Sequence, residues 1–159
     1  MSEAVLAESI VPAATALGEL ETLLRQVSDA DLHRAHPDGG WTCAQVVSHI
    51  HLSGLLWIAA LERIRHQPSM FIYREELGHD AVGAPPHSAA EAAGRIASLR
   101  TALEQCVPAA DPSVAAKEIE VPPFGKFAVG AGAPVIAAHL TAHCGQVRDI
   151  LEARGALPS

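Results

Sequence analysis

Hydrophobic residues recur at three- and four-residue intervals through four separate stretches of this 159-residue sequence. That spacing places them on one side of an α-helix, whereas a half-buried β-strand alternates every second residue. The first stretch covers residues 2–27, and its repeating apolar positions are Leu6, Ile10, Ala13, Leu17, Leu20, Leu24 and Val27. We therefore predict a first amphipathic helix, and the other three stretches indicate the same all-α class.

The second and third predicted helices each begin with a capping box. In this motif a hydroxyl side chain and a Glu or Gln three residues later satisfy free backbone amides. Thr42 and Gln45 form the first box, directly after a Pro-Asp-Gly-Gly turn, and Ser88 and Glu91 form the second. The second helix is predicted to end before Pro68, because a residue that precedes proline is disfavoured in helical backbone.

The connections between the predicted helices differ in character. Residues 67–87 form a long loop between helices two and three, and loops of this length are often functional. Residues 118–129 alternate polar and apolar around a Pro-Pro-Phe-Gly turn, which predicts a short hairpin or an extended crossover. The fourth helix is predicted from Pro134, a residue suited to the first helical position, to Gly155. These elements predict a four-helix bundle in a single domain over residues 1–159.

Charge and composition restrict the expected partners. Eleven Lys and Arg against eighteen Asp and Glu give a net charge of −7, which argues against nucleic-acid binding. Because no run approaches about 18 consecutive apolar residues and no basic leader opens the chain, we expect a cytoplasmic protein that does not enter a membrane. The three cysteines lack framework or CxxC spacing and are expected to be reduced thiols: Cys43, Cys106 and Cys144.

Three histidines are candidates for a metal site. His139 and His143 are four residues apart on the fourth predicted helix, so their imidazoles lie one turn apart on one face. That face adjoins the apolar stripe of the helix, where an unpartnered polar group is costly. His49, two turns into the second predicted helix, offers a third nitrogen close to the apolar stripe. Three imidazoles would leave coordination positions open, as catalytic metal sites do.

The residues alone leave other interpretations open. The three histidines could be buried and satisfied by hydrogen bonds, and Gln146 could either orient a ligand or only cap and pack beside it. His51 lies about 200° around the helix from His49 and cannot share its metal. We interpret Cys144 as a packed thiol and Trp41 as mainly structural. The loop histidines are expected to be solvated: His33, His36, His79 and His87.

Two segments of the sequence resemble the DinB-like superfamily. One is Trp-Thr-Cys-Ala-Gln-Val-Val-Ser-His-Ile at residues 41–50, and the other is His-x3-His-Cys-Gly-Gln-Val at residues 139–147. This superfamily includes DNA-damage-inducible proteins, bacillithiol transferases and the N-terminal domain of mycothiol-dependent maleylpyruvate isomerase. The resemblance covers nearly the whole chain. It implies a four-helix bundle with up-down-down-up connections that forms a homodimer.

The resemblance also implies a metal site and its chemistry. The family's ligands correspond to His49, His139 and His143, and the expected cofactor is a divalent ion, zinc or nickel. Such an ion lowers the pKa of bound water towards ~7 or binds a thiol as thiolate. The expected function is therefore a metal-dependent enzyme that acts on a small molecule, either a transferase that uses a low-molecular-weight thiol or a hydrolase. A non-enzymatic metal-binding or stress-related ligand-binding bundle, and a scaffold with a vestigial triad, are the alternatives. No general base is identified.

Overall fold

The computed structural model describes residues 3–71, 82–106, 112–121 and 125–157. Within these ranges lie six helices and three short strands: α1 (Glu3–Leu24), α2 (Asp29–Leu32), α3 (Cys43–Arg65), β1 (Ser69–Phe71), α4 (Ala89–Cys106), α5 (Pro112–Ala115), β2 (Glu118–Val121), β3 (Gly125–Ala128) and α6 (Val129–Ala153). The four long helices, α1, α3, α4 and α6, are the four predicted from the apolar spacing, and α1 ends three residues before its predicted end.

The long helices form a ring in which α1 and α3 each pack against both α4 and α6. Gly54 of α3 faces Leu99 of α4. Further along both helices, Arg65 donates a hydrogen bond to the Cys106 carbonyl oxygen, so α3 and α4 run parallel. Sequence-adjacent long helices that run parallel need a long connection, which here is the segment between residues 65 and 89. The predicted four-helix bundle with up-down-down-up connections is confirmed.

Helices α3 and α6 run antiparallel and bring the candidate metal ligands together. His49, near the start of α3, lies beside His139 in the middle of α6. Trp57, two turns later on α3, lies beside Gly132, near the start of α6. The N-terminal half of α3 therefore faces the centre of α6.

The helix starts follow their predicted caps with one difference. At α3 the capping box is complete. The backbone N–H of Gln45 donates to Thr42 Oγ1 at 3.2 Å, and the backbone N–H of Thr42 donates to the side-chain Oε1 of Gln45 at 2.8 Å. At α4 the Glu91 amide donates to Ser88 Oγ, but the Glu91 carboxylate accepts from the amide of His87, one residue earlier than predicted. Both caps fix where the helices begin.

A small sheet covers one end of the bundle. Strands β2 and β3 form an antiparallel hairpin in which Ile119 pairs with Phe127, so the hairpin alternative of the sequence analysis is correct. Strand β1, within the predicted loop 67–87, pairs in parallel with β2. Ile119 is fully buried in a second hydrophobic cluster beside Trp57 and Ile64 of α3. Residues 72–81 of the loop lie outside the described part of the chain.

Helix α6 begins at Val129, so the prediction that it begins near Pro134 was wrong. The Val129 amide donates to the Lys117 carbonyl oxygen, and the absent side chain of Gly132 leaves room for the ring of Phe127. Packing against the hairpin therefore adds residues 129–133 before Pro134, although a proline inside a helix lacks one backbone donor and its ring crowds the carbonyl oxygen four residues earlier.

Helix α3 is, in the described residues, the one helix long and apolar enough to cross a membrane, with a mean hydropathy of 1.4 over its most apolar window. Of that window, 56% is buried inside the bundle. The core helix of a soluble bundle has the same length and composition, so this is weak evidence for a membrane span.

Replacing Gly54 with Ala is expected to destabilise the bundle. A Cβ atom at this position would lie 2.5 Å from Leu99 Cδ1 and 2.8 Å from its Cδ2, in a fully buried contact between α3 and α4. Overpacking costs about 1–3 kcal/mol, and the better helix propensity of Ala recovers up to ~1 kcal/mol. The free energy of unfolding, measured by urea denaturation, should fall by up to about 2 kcal/mol.

The matched control for this prediction is Gly94→Ala in α4. No atom lies within 4 Å of a Cβ built at Gly94. This variant should therefore gain about 0.5–1 kcal/mol. A Gly54→Ala protein as stable as Gly94→Ala would show that α3 and α4 are not in close contact at this position.

Candidate metal centre

Three imidazoles converge between α3 and α6. The nitrogen atoms that His49, His139 and His143 can offer to a metal all lie within 4.8 Å of one another. His49 is 1% exposed and the other two are half-buried. The ring centroids are 4.5 Å apart for His139 and His143, and 4.6 Å apart for His49 and His143. The structure thus brings together all three histidines that the sequence analysis selected.

The closest pair of nitrogens fits a shared cation. His49 Nε2 and His139 Nε2 are 3.2 Å apart. Two unprotonated ring nitrogens cannot face each other at this distance without a proton or a metal ion between them, because both are acceptors. Two imidazoles on one tetrahedral zinc, at 2.0–2.1 Å each, hold their nitrogens about 3.3 Å apart. The donor set and its spacing therefore fit a divalent ion such as zinc or nickel.

The charge of a metal bound at this cluster would depend on which groups join the three histidines. No carboxylate or thiolate joins the three histidines among the described residues. Three neutral imidazoles would leave both positive charges of a divalent ion uncompensated by its protein ligands. A bound ion is often the largest charge in its site. Such a centre favours an anion, hydroxide or thiolate, at its open positions.

Gln146 contacts one of the three histidines directly. Its Oε1 lies 2.8 Å from His143 Nδ1. An amide oxygen only accepts hydrogen bonds, so in this arrangement Nδ1–H donates and Nε2 keeps its lone pair. The sequence left two interpretations of Gln146 open, orientation of a ligand or capping and packing beside it, and this contact is the observation that bears on them.

Trp41 covers one side of the cluster. Its ring centroid lies 5.0 Å from that of His49 and 6.4 Å from that of His143, and the indole is stacked on His143 at an interplanar angle of 26°. Trp41 is half-buried and also packs on the main hydrophobic core. The interpretation of this residue as mainly structural was incomplete, because it also forms a wall of the site.

Sequence reasoning missed one polar side chain at the cluster. Ser53 Oγ lies 3.5 Å from His49 Nε2, the same nitrogen that faces His139. The two residues are four positions apart on α3, and this spacing, which places both on one helix face, is the signal that could have identified Ser53.

The other histidines in the described part of the chain lie outside the cluster. His51 is half-buried on another side of α3, where burial and the charge of Arg95 lower its pKa. Three of the four loop histidines are described and do not join the cluster: His33, His36 and His87. His33 and His87 are exposed as predicted, whereas His36 is half-buried. His79 lies outside the described residues.

The buried cysteines are packed thiols. Cys43 and Cys144 are both buried, and burial raises the pKa of each thiol to about 12. Although Cys144 follows His143 in sequence, it lines a groove between α1 and α6 beside Leu20 and Gly145. The interpretation of Cys144 as a packed thiol rather than a nucleophile agrees with this position.

Native Cys43 and Cys144 are expected to resist alkylation. With a pKa of about 12, only about one thiol in ten thousand is ionised at pH 8, and the thiolate is the reactive form. Mass spectrometry after iodoacetamide treatment should show both residues unmodified in the native protein and modified in urea. Rapid modification of either residue in the native protein would contradict their burial.

Three imidazoles that face one another across two antiparallel helices place this protein in the class of four-helix bundles with a candidate metal site. The sequence profile of the DinB superfamily matches residues 14–147, and the chain belongs to this superfamily.

One solved structure shows the same architecture. The fold is similar to that of YfiT from Bacillus subtilis, a probable metal-dependent hydrolase with an unusual four-helix bundle topology. The TM-score is 0.76 at 14% sequence identity, over 98% of this chain and 90% of that one. No curated protein matches the sequence. At 14% identity, this similarity is evidence for the fold.

Proposed function

We propose that this protein is a metal-dependent enzyme that acts on a small molecule, with His49, His139 and His143 as the ligands of one divalent ion. The observation that carries the proposal is the convergence of their nitrogens within 4.8 Å on two packed helices. Donors on packed helices are held in place before the metal binds, and such sites are more precise than sites on loops. The similarity in fold to YfiT, which is described as a probable metal-dependent hydrolase, supports the metal dependence in this proposal.

The ligand count indicates a catalytic centre. Structural zinc sites are closed by four protein ligands, whereas catalytic sites use three and keep a position for water or substrate. The three histidines supply three ligands, and no fourth His, Cys, Asp or Glu joins them in the described residues. When bound, the ion would supply Lewis-acid chemistry at that open position.

The nucleophile in this proposal comes from solution. The thiols of Cys43 and Cys144 are protonated and buried, so neither supplies a thiolate. The open position instead takes either water, which gives hydrolysis, or a low-molecular-weight thiol, which gives thiol transfer. Ser53, whose hydroxyl lies beside His49 Nε2, is placed to hydrogen-bond an anion there.

Trp41 and the surrounding core cover part of the cluster, in which His49 is buried and His139 and His143 are half-buried. The indole stands against His49 and His143. Exclusion of water strengthens electrostatic interactions within a site.

The homodimer and the cytoplasmic location expected from the sequence stay predictions.

Replacing His143 with Ala is expected to remove most bound metal from an otherwise folded protein. Loss of a residue that hydrogen-bonds to a metal ligand lowers metal affinity about 10–100-fold. Loss of the ligand itself should therefore lower metal affinity more than about 100-fold. His143 is half-buried, so its truncation leaves the fully buried core intact. Elemental analysis of protein purified without metal-affinity steps should give about one equivalent in the unaltered protein and little in the variant.

The control for this measurement is His66→Ala. His66 lies at the C-terminal end of α3 with a side chain 78% exposed, remote in sequence from the ligands. This variant should keep its full metal content. Equal metal content in His143→Ala and the unaltered protein would show that the assigned site is wrong, and no metal even after reconstitution would refute the proposed function.

Turnover assays on the metal-loaded protein separate the two reactions. Ester and amide substrates without added thiol test hydrolysis, and electrophiles with cysteine or glutathione as the probe test thiol transfer. In the cobalt-substituted protein, a bound thiolate would produce a sulfur-to-cobalt charge-transfer band on addition of the thiol. Metal binding without either activity would favour the non-enzymatic, ligand-binding alternative.

A further inference from the structure

Gln146 is not one of the three clustered histidines but contacts one of them, His143. It lies one turn after His143 on α6, is half-buried, and contacts His143 through Oε1 at 2.8 Å from Nδ1. The spacing of three residues on one helix places the two side chains on the same face, so the contact is held by the helix itself. The contact leaves Nε2 as the nitrogen that His143 can offer to the cluster, in which the candidate ligand atoms of the three histidines lie within 4.8 Å of one another.

The chemistry of the amide decides which nitrogen of His143 can bind a metal. A neutral imidazole carries one proton, and only its unprotonated nitrogen can donate a lone pair. If Gln146 accepts through Oε1, the proton is held on Nδ1 and Nε2 is available. If the amide were reversed, its NH2 group would donate to Nδ1, and the proton would lie on Nε2, where it blocks coordination.

We propose that Gln146 is a positioning residue that fixes His143 in the Nδ1-protonated tautomer and so presents Nε2 to the metal. This inference rests on the proposed metal site, but the tautomer itself is a property of the metal-free chain. Partners of this kind orient metal-binding histidines and raise the basicity of the coordinating nitrogen.

If Gln146 only packs beside the site, its Met and Glu variants should rank in the opposite order of zinc affinity from the order that this proposal predicts. If the side chain only packs, Met of similar size is tolerated and a charged Glu is not. If it accepts a hydrogen bond, Glu keeps the acceptor and Met loses it. The pair Gln146→Glu and Gln146→Met therefore distinguishes the two roles.

The first test measures metal affinity by competition of zinc-loaded protein with a chromophoric chelator. Gln146→Met is expected to bind zinc about 10–100-fold more weakly. Gln146→Glu should bind zinc at least as tightly as the unaltered protein. Equal zinc affinities for the two variants, or tighter binding by Gln146→Met, would overturn the proposal.

A charge control accompanies this test, because a new carboxylate near a cation attracts it even without a hydrogen bond. Ala138 is exposed on α6, directly before His139 and five residues before His143, so Ala138→Glu adds the same charge without a three- or four-residue spacing to either histidine. The comparison is made between Gln146→Glu and the double variant Ala138→Glu/Gln146→Met. The proposal requires the double variant to stay weaker, and equal affinity would overturn it.

The second test needs no metal and separates this inference from the proposed function. Nitrogen-15 NMR of the metal-free protein, with His143→Ala to assign the signals, identifies the protonated nitrogen of the ring. We expect the proton of His143 on Nδ1, and a mixture of tautomers in Gln146→Met. A proton on Nε2 in the unaltered protein would overturn the inference, whereas failure of the unaltered protein to bind metal would overturn the proposed function alone.

Discussion

The antiparallel packing of α3 against α6 is the constraint on which the site depends. The metal-candidate nitrogens come from two helices ninety residues apart in sequence, and only their mutual register brings His49 within 3.2 Å of His139. That register is held at one end by the contact of Trp57 with Gly132 and, beyond the cluster, by the buried core that joins both helices. Because packed cores are dense and resist deformation, they can hold donor atoms in place before a ligand arrives.

The same arrangement would allow a protein with a net charge of −7 to carry a local positive charge at the proposed metal site. Histidines bind metals in the neutral form, and the described acidic residues contribute no atom to the cluster. The net negative charge of the whole chain therefore affects its solubility and its choice of partners, whereas the charge at the site would be that of the bound ion. Two side chains contact the three histidines in different ways: the Trp41 ring packs against His49, and Gln146 Oε1 lies 2.8 Å from His143 Nδ1.

Much of this architecture could be predicted from local patterns. The apolar spacing gave the four helices, the capping box at Thr42 fixed the start of α3, and the four-residue spacing of His139 and His143 placed two imidazoles on one face. The predictions failed where contacts between residues distant in sequence determine where an element begins or whether it forms. The start of α6 at Val129 depends on packing against the hairpin, and β1 exists only because β2 pairs with it. The position of Trp41 against two histidines likewise depends on how α3 and α6 meet.

X-ray absorption spectroscopy of the protein loaded with one equivalent of zinc tests the central claim most directly, because it reports the atoms bound to the ion. The account predicts three imidazole nitrogens at about 2.0–2.1 Å and at least one exchangeable oxygen at a similar distance. On addition of a low-molecular-weight thiol, a transferase would replace that oxygen with sulfur at about 2.3 Å. Fewer than three imidazoles, or sulfur ligands in the absence of added thiol, would contradict the assignment of His49, His139 and His143.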